Sequence, residues 1–347
     1  MSLFNRSIFH VKNRLRILRH TLRRRFSILF LRTLTQEAVP NITSEIRLFM
    51  IIRNEARRLP YLIQYYFDLG VDRMFVIDND SDDETLTILE GFEKVHVFHT
   101  KQLYKNHWYW QEHLLDKYGK NSWCLVVDAD EFLDFPYSST ITIREFCKFL
   151  DSSGQEALHC PLLDMYSKGP ISTAEYEPGK DPLEICNFFD LQFDTKKISG
   201  LDRKTYNRFK FEFFTGNVRD RVFGYKAVLS KIVLFKYRTE TYLTNGHHFI
   251  NNAKLSDLQG VVRHFKFMGD FFKKMNEEIK REQYWNKAVH WKAFSNHIKN
   301  PDSFTLYGDE SIKYENNEQL VKLGLMKSSD ELDAYVNKLY PPNATKE

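Results

Sequence analysis

Two aspartates separated by one residue, Asp128 and Asp130, are the side chains whose type and spacing best suit chemistry in this sequence. They follow the apolar run Trp123-Cys-Leu-Val-Val127, which predicts a buried strand. Two carboxylates this close repel each other unless a cation lies between them. Hard carboxylate oxygens suit Mg²⁺ or Mn²⁺, and such an ion then binds phosphate groups. The pair therefore predicts a divalent-metal site for a phosphorylated substrate.

The elements that must position this pair alternate along the chain. Apolar runs predict strands, and amphipathic spacing predicts helices between them. The strands are expected at 47–52, 73–77, 95–98 and 123–127, and the helices at 57–69, 84–92 and 108–118. Continuous apolar strands that alternate with helices are typical of a mostly parallel sheet covered on both faces, so the predicted fold class is α/β.

Polar clusters follow three of these strands, at residues 53–55, 78–83 and 128–131. In open parallel sheets, ligands bind beyond the carboxyl ends of the strands. We therefore expect a single crevice to collect all three clusters.

An ordered series of motifs resembles the nucleotide-sugar-binding half of family-2-type glycosyltransferases with the GT-A fold, and more narrowly the bacterial branch with W-x-L-V-V-D-A-D-E-F-L. The series begins with Arg53-Asn-Glu55, Ile77-Asp-Asn-Asp-Ser-Asp82 and Trp123-Cys-Leu-Val-Val-Asp-Ala-Asp-Glu-Phe-Leu133. It continues with Leu163-Asp-Met-Tyr-Ser167, Gly216-Asn-Val-Arg-Asp-Arg-Val-Phe223, Leu229-Ser-Lys231, Gly246-His-His248 and Arg263-His-Phe-Lys-Phe267. The resemblance covers about residues 45–270. It implies a Rossmann-like GT-A sheet and a hexosyltransferase-type enzyme that uses a nucleotide-diphosphate sugar, usually with inversion.

The resemblance also implies roles for individual residues. The donor nucleotide and its phosphates are expected at Arg53, Asn54, Glu55, Asp78, Asp80, Arg219 and Arg221. A Mn²⁺ or Mg²⁺ cofactor is expected at Asp128, Asp130 and His264. The two late arginines suit this role because a guanidinium pairs well with phosphate oxygens. One departure from the family is Asn217, which stands where a glycine is expected and leaves the conformation of its loop open.

An inverting transfer also needs a carboxylate base near the acceptor hydroxyl. Two aspartates are candidates: Asp164, which follows a predicted strand at 158–163, and Asp220, which lies between two arginines. Each has a structural alternative, a hydrogen bond to loop backbone for Asp164 and an ion pair that orients the arginines for Asp220. The acceptor is expected to be a glycan or glycolipid of cell-surface polysaccharide or lipopolysaccharide synthesis.

Positive charge is concentrated at the start of the chain. Residues 1–36 contain nine Lys and Arg and no acid, whereas the rest contains 41 basic and 46 acidic residues. Because the body carries no excess of positive charge, no nucleic-acid partner is expected.

Apolar residues recur every three or four positions from Phe4 to Leu29, which predicts an amphipathic helix on an anionic membrane surface. The expected location is cytoplasmic, peripheral on the inner face of the cell membrane. Docking on the protein's own body and an organelle transit peptide are the alternatives.

The length of 347 residues and the hydrophobic content of 42% predict a globular chain with a substantial core. Three regions are expected: a basic amphipathic segment at 1–40, the glycosyltransferase domain at 45–270 and a helical region at 271–347. No apolar run approaches the ~18 residues that a membrane-spanning helix needs. The four cysteines form no C-x-x-C pair, which favours buried, reduced thiols.

Two other functions fit the same carboxylate clusters. A metal-dependent phosphatase or nucleotidyltransferase also gathers acids at strand ends, and it would release phosphate or pyrophosphate. A membrane-surface scaffold that keeps the fold without turnover is the non-enzymatic alternative, in which loss of Asp128 would leave the cellular role intact.

Overall fold

The computed structural model describes residues 22–35, 37–198, 211–239, 241–244, 247–251, 253–283 and 285–341. The strands are β1 Arg32–Thr33, β2 Ile46–Ile52, β3 Arg73–Asp78, β4 Val95–His99, β5 Trp123–Val126, β6 Glu131–Asp134, β7 Ala157–Asp164, β8 Phe188–Asp190, β9 Phe193–Ile198, β10 Phe211–Gly216, β11 Ser230–Lys236, β12 Leu243–Thr244, β13 Phe249–Ile250, β14 Leu255–Gln259, β15 Val261–His264 and β16 Ser311–Lys313. The helices are α1 Leu59–Leu69, α2 Thr85–Glu90, α3 His107–Leu114, α4 Ile143–Ser152, α5 Val218–Phe223, α6 Phe271–Arg281, α7 Trp285–His297, α8 Asn317–Lys322 and α9 Asp330–Leu339. Short 3₁₀ turns occur at Tyr104–Asn106, Ile171–Thr173, Pro182–Glu184 and Pro301–Ser303, and a π turn at Leu115–Gly119.

Ten strands form one central sheet, in the order β1-β4-β3-β2-β5-β11-β7-β15-β6 with β14 beside β7. The strands β4, β3, β2 and β5 are parallel to one another. Strand β11 is antiparallel to both β5 and β7, so β7 has the direction of the first four, and β14 and β15 are parallel to β7. The predicted α/β class with a mostly parallel sheet is confirmed.

Strand β2 is continuously apolar because helices cover both faces of the sheet. Leu48 and Met50 point into one core, which they share with α1, whereas Phe49 and Ile51 point into a second core with α3. Every residue of β2 is buried. Burial on both faces is the condition under which a strand loses the usual alternation of apolar and polar residues.

Two elements around the site were not predicted from the sequence. Strand β6 begins at Glu131, inside the expected polar cluster, and pairs antiparallel with β15. The hairpin of β9 and β10 pairs Phe193 with Gly216 and leads directly into α5. The helix expected over 108–118 is α-helical only to Leu114 and then widens into the π turn.

The helical region after residue 270 packs against the rest of the molecule. Leu320, Leu332 and Val336 are buried in the same core as the sheet. Helices α6 and α7 enclose a further apolar cluster with Phe223 and Phe267. The four cysteines are free and buried, as expected.

The predicted basic helix lies mostly outside the described residues, because the description begins at residue 22. Residues 22–28 are helical. They are attached to the body by an ion pair from Arg24 to Asp116. Three members of the predicted apolar stripe nevertheless face solvent, with exposed fractions of 57% for Leu22, 62% for Phe26 and 76% for Leu29. Within the described part of the chain, no helix combines the length and apolar character needed to cross a membrane.

Candidate active site

Asp128 and Asp130 follow β5 and lie in the turn that leads to β6. The turn is closed by the Glu131 N–H, which donates to the Asp128 carbonyl at 3.1 Å. It is attached to the end of β15 by the Phe265 N–H, which donates to the Asp130 carbonyl at 2.8 Å. The turn therefore sits beyond the carboxyl end of a parallel strand, where the sequence places it.

His264, the last residue of β15, connects two of the predicted aspartates. Its Nε2 lies 3.3 Å from Oδ2 of Asp130, and its Nδ1 lies 2.6 Å from Oδ1 of Asp164. Burial alone would lower the pKa of His264, but the two carboxylates raise it to about 9. His264 holds the pKa of Asp130 below the usual value, and Arg219 together with His264 does the same for Asp164, in both cases against the effect of burial.

Asp164 is completely buried at the end of β7 and has no free oxygen facing solvent. Arg219 of α5 donates from Nε to Oδ2 at 2.6 Å and from Nη2 to Oδ1 at 2.7 Å. Oδ1 of Asp164 also contacts Nδ1 of His264. This placement argues against the predicted role of Asp164 as a general base, because a base must reach the acceptor hydroxyl. Asp164 is instead placed to orient Arg219 and His264.

Asp128 is surrounded by cationic or polar partners. The ammonium of Lys231, itself fully buried in β11, lies 3.3 Å from Asp128 Oδ2 and 2.6 Å from Glu131 Oε2. His247 Nε2 lies 3.1 Å from the Asp128 carboxylate. Burial would raise the pKa of Asp128, but His247 and Lys231 hold it well below the usual value. Glu131 also accepts the Asp128 N–H at 2.7 Å, so it supports both Lys231 and the turn.

Lys266 provides a further positive charge beside this turn. Its Nζ lies 4.3 Å from the centre of the Trp291 ring, a cation–π contact that keeps the ammonium in place. Burial lowers the pKa of Lys266, while Asp130 is the carboxylate that opposes the shift most. No salt bridge joins Lys266 to a carboxylate in the described ranges. Its ammonium is therefore available to an anionic ligand.

The loops after β2 and β3 interlock. Asn54 donates from Nδ2 to Asp82 Oδ1 at 2.7 Å, and Arg53 donates to the carbonyl of Asn79 at 2.8 Å. Asn54 and Asp80 both have a positive φ, 54° and 61°, which short polar side chains tolerate. Both predicted donor loops thus form one surface beyond the strand ends.

The remaining residues of the predicted donor site differ in exposure. Asp78 is buried and contacts His99 Nδ1 at 2.9 Å, whereas Asp80 is half-exposed, 3.3 Å from Lys101 Nζ. Glu55 holds Lys274 at 2.7 Å and thereby joins the first loop to α6.

Arg219 and Arg221, expected together as a phosphate clamp, point to different partners. Arg219 contacts Asp164, whereas Arg221 donates to the Asp190 carboxylate from Nε at 2.7 Å and from Nη2 at 3.0 Å. They diverge because α5 is a single short helix whose successive residues project in different directions. Asp220, between them, is partly exposed and lies 3.4 Å from Lys226 Nζ.

Asp130 and His264 are neighbouring side chains of the two types that divalent ions accept as ligands. The His264 Nδ1 is held by a carboxylate, which is the usual arrangement for a metal-binding imidazole and leaves Nε2 directed at Asp130. Among the described residues no three or more His, Cys, Asp or Glu side chains form a complete metal-binding group. Two protein donors are nevertheless compatible with Mg²⁺, which keeps water and takes substrate phosphates as ligands. Asp128 would have to give up Lys231 or His247 to join them.

Three residues of this cluster were not assigned roles from the sequence. Lys231, His247 and Lys266 lie within motifs of the ordered series, but the sequence predicts no role for them. The sequence nevertheless carries a local signal for the two lysines. Lys231 lies within an apolar strand and Lys266 lies between two phenylalanines, and a lysine in apolar surroundings is almost never buried unless it is paired.

Part of the chain is similar to a known glycosyltransferase. A stretch of 99 residues is 31% identical to a glycosyltransferase family 92 protein of Oryza sativa subsp. japonica. The match covers 26% of this chain and 16% of the rice protein, so the chain spans only a small part of that relative's length. No family model matches the chain.

Two solved structures resemble parts of this chain weakly. UDP-glucose pyrophosphorylase from Acinetobacter baumannii is 10% identical with a TM-score of 0.28, over 74% of this chain and 100% of that one. HddC from Yersinia pseudotuberculosis is 10% identical with a TM-score of 0.26, over 55% of this chain and 73% of that one. At such TM-scores the likeness carries no conclusion about the fold or the reaction.

Proposed function

We propose that this protein is a metal-dependent glycosyltransferase of the GT-A type that moves a sugar from a nucleotide-diphosphate sugar to a hydroxyl acceptor. The observation that carries the proposal is the contact of Asp130 with His264 beyond the carboxyl end of β5, with Lys266 beside it. Asp130 and His264 would hold the Mn²⁺ or Mg²⁺ ion. A bound ion of this kind neutralises the charge that develops on the leaving diphosphate.

The residues of the chain divide the remaining work. The ammonium of Lys266 binds the donor diphosphate, because it is close enough to Asp130 for that carboxylate to act on its pKa and no described carboxylate forms an ion pair with it. The loops at 53–55 and 78–80 bind the nucleoside. Arg219 contributes positive charge while Asp164 keeps it in place, and Arg221 lies further from this cluster.

Asp220 is the better placed of the two predicted bases for an inverting reaction. Its carboxylate is partly exposed at α5, whereas both oxygens of Asp164 are bonded in the interior. A proton acceptor must approach the reacting hydroxyl to hydrogen-bond distance, which only the exposed carboxylate can do. Asp164 then acts by positioning Arg219 and His264.

A thermal-shift panel tests the donor half of this proposal. UDP, GDP, CDP and CMP are each added with Mn²⁺ and with EDTA to the wild type, Asp130→Ala and Asp257→Ala. Asp257 is an exposed acid of β14 and serves as the control for loss of a carboxylate. We expect one nucleoside diphosphate to raise the Tm only with Mn²⁺, in the wild type and Asp257→Ala but not in Asp130→Ala.

Flat curves for a folded wild type would overturn the transferase proposal and favour the scaffold. Incubation with the donor sugar separates the enzymatic alternatives, since a transferase releases the nucleoside diphosphate. Release of pyrophosphate or inorganic phosphate would identify a nucleotidyltransferase or a phosphatase.

We further propose that residues 1–36 bind an anionic membrane surface, which would locate the protein on the inner face of the cell membrane and its product in cell-surface polysaccharide or lipopolysaccharide. The support is the exposure of Leu22, Phe26 and Leu29 beside a series of arginines. Docking of this stripe on the protein's own body would have buried the three side chains. Apolar contacts and arginines together bind anionic bilayers more strongly than either alone.

Vesicle flotation tests this surface. The wild type should float with phosphatidylglycerol-containing vesicles and much less with pure phosphatidylcholine. Phe26→Asp should abolish flotation, while Leu339→Asp, an exposed leucine at the end of α9, should leave it unchanged. Equal flotation of the two variants would contradict a membrane role for this segment.

A further inference from the structure

A cavity lies next to α5, on the side of Asp220 and Arg221. Its volume is about 680 Å³, within the range of pockets that bind small molecules. The walls are the start of the β9–β10 hairpin, α5 and two segments of the C-terminal region, around Glu310 and around Leu323 to Leu325. The function proposed above leaves this cavity without a ligand.

One wall of the cavity is aromatic. Phe193 and Phe214 pack edge to face with their ring centres 5.5 Å apart, and both remain partly exposed. Aromatic rings offer a flat apolar surface to a ligand that has both apolar and polar sides. The C–H face of a sugar ring is such a surface, with hydroxyl groups around its edge.

The other walls carry hydrogen-bond acceptors. Asp194, Asp220 and Glu310 line the cavity and are partly or largely exposed. Asn217, which is 94% buried, also lines it, and its Oδ1 has no hydrogen-bond partner among the residues that the structure describes. A buried acceptor without a partner costs free energy that a donating ligand hydroxyl would recover.

The charge of the cavity selects against acidic ligands. Arg221 is neutralised by Asp190, which accepts two of its hydrogen bonds. Lys226 contacts two carboxylates, Asp194 at 2.6 Å and Asp220 at 3.4 Å. Glu310, 3.8 Å from Arg221, adds a further negative charge at the rim. The excess of acid favours a neutral sugar over a uronic acid or a phosphorylated sugar.

We propose that this cavity binds the acceptor, and that the acceptor is a neutral carbohydrate. The proposal rests on the transferase function proposed above and names the second substrate of that reaction. Helix α5 joins the two halves of the site, because Arg219 contacts the Asp164–His264 pair while Asp220 lines the cavity. The partly exposed carboxylate of Asp220 is thereby brought to the acceptor hydroxyl, where a base is needed.

Saturation-transfer difference NMR tests the cavity with the methyl glycosides of glucose, galactose, mannose and N-acetylglucosamine, and with methyl glucuronide as the acidic probe. We expect at least one neutral glycoside to bind the wild type and the glucuronide to bind much more weakly. Phe193→Ala should lower the affinity for the neutral glycoside about tenfold, which is the contribution of one aromatic contact. Glu310→Gln, an exposed change that should not affect folding, should also weaken it, whereas Glu315→Gln outside the cavity should not.

The result that would overturn the proposal is a glycoside signal that is absent from the wild type or is unchanged in both cavity variants. Equal binding of the glucuronide would overturn the preference for neutral sugars. The nucleotide thermal shift is measured on the same proteins and should be unchanged by Glu310→Gln. If nucleotides bind and glycosides do not, this inference alone fails, whereas the absence of nucleotide binding is a failure of the proposed function.

Discussion

Arg219 and Asp164 form a buried ion pair in which two nitrogens of one guanidinium donate to the two oxygens of one carboxylate, at 2.6 and 2.7 Å. The pair joins α5 to the end of β7. Through its Oδ1, Asp164 also holds the His264 imidazole that faces Asp130. A single carboxylate thus fixes the orientation of a cation and of a predicted metal ligand.

Asp164→Asn should lower the free energy of unfolding by about 3–5 kcal/mol, because it leaves Arg219 buried without a countercharge. Urea denaturation measures this loss. The matched change Asp257→Asn, at an exposed position, should stay within about 0.5 kcal/mol of the wild type.

The double variant Asp164→Asn/Arg219→Gln should recover part of the loss, since it removes both charges. If the losses of the single variants Asp164→Asn and Arg219→Gln simply add in the double variant, the pair contributes no coupling energy, and the destabilisation comes from packing alone.

Asn217 occupies a backbone conformation that favours glycine, with φ 62° and ψ −157°. Asn217→Gly should therefore be more stable than Asn217→Ala by about 1–2 kcal/mol, because only alanine retains the strain. Both variants lose the hydrogen bond from Asn217 Nδ2 to the Asp190 carbonyl, so that term cancels. Thermal unfolding of the two proteins measures the difference.

At Ala334, an exposed helical position of α9, alanine should be more stable than glycine. Ala334→Gly should lose about 1 kcal/mol relative to the wild type, which is the helix propensity difference between the residues. An Asn217→Ala protein as stable as Asn217→Gly would show that the loop relaxes to a different conformation.

The parts of the fold that could be predicted are those whose signal is local. Strands β2 and β3 match the expected runs to within one residue because burial on both faces makes them continuously apolar. Strand β6 carries no such signal, since it is four residues long and begins inside an acidic cluster. The family's pattern has a glycine at position 217, and Asn217 has the positive φ that glycine adopts freely. Asparagine here takes the backbone conformation expected of the glycine.

The candidate site could be predicted only where residue type and strand position coincide. Asp128 and Asp130 follow an apolar strand, so their place beyond its carboxyl end follows from the fold class. Lys231 and His247 come from β11 and from the segment between β12 and β13. Their contacts with Asp128 depend on the sheet order, which brings β11 next to β5 and which no local pattern specifies.

Lys266→Gln should weaken the binding of a nucleoside diphosphate about 10- to 100-fold, the usual contribution of one charged hydrogen bond. The parent nucleoside should bind as before, because it lacks the phosphates that Lys266 contacts in our proposal. Isothermal titration calorimetry with Mn²⁺ measures both ligands. Lys322→Gln, an exposed lysine of α8, is the control for loss of one charge. Equal losses for nucleoside and diphosphate would mean that Lys266 supports the fold of the site rather than the phosphates.

Glu112 of α3 makes stability depend on pH. Burial raises the pKa of its carboxyl to about 8, although Arg24 opposes the shift, and Oε1 accepts the Leu243 N–H at 2.9 Å. Between the unfolded pKa of 4.5 and pH 8 the unfolded chain has lost the Glu112 proton while the folded chain retains it. The unfolded state then binds fewer protons, so the contribution of Glu112 to the free energy of unfolding falls as the pH rises through this range.

Glu112→Gln should remove this dependence, because the amide does not titrate. From pH 5 to pH 8 the wild type should therefore lose stability relative to Glu112→Gln. The difference in the free energy of unfolding should grow by at most about 1.4 kcal/mol per pH unit, which gives a few kcal/mol in all. Urea denaturation at several pH values measures the slope. The exposed Glu315→Gln should run parallel to the wild type throughout. A Glu112→Gln protein that also runs parallel would mean that the folded chain ionises Glu112 as readily as the unfolded one.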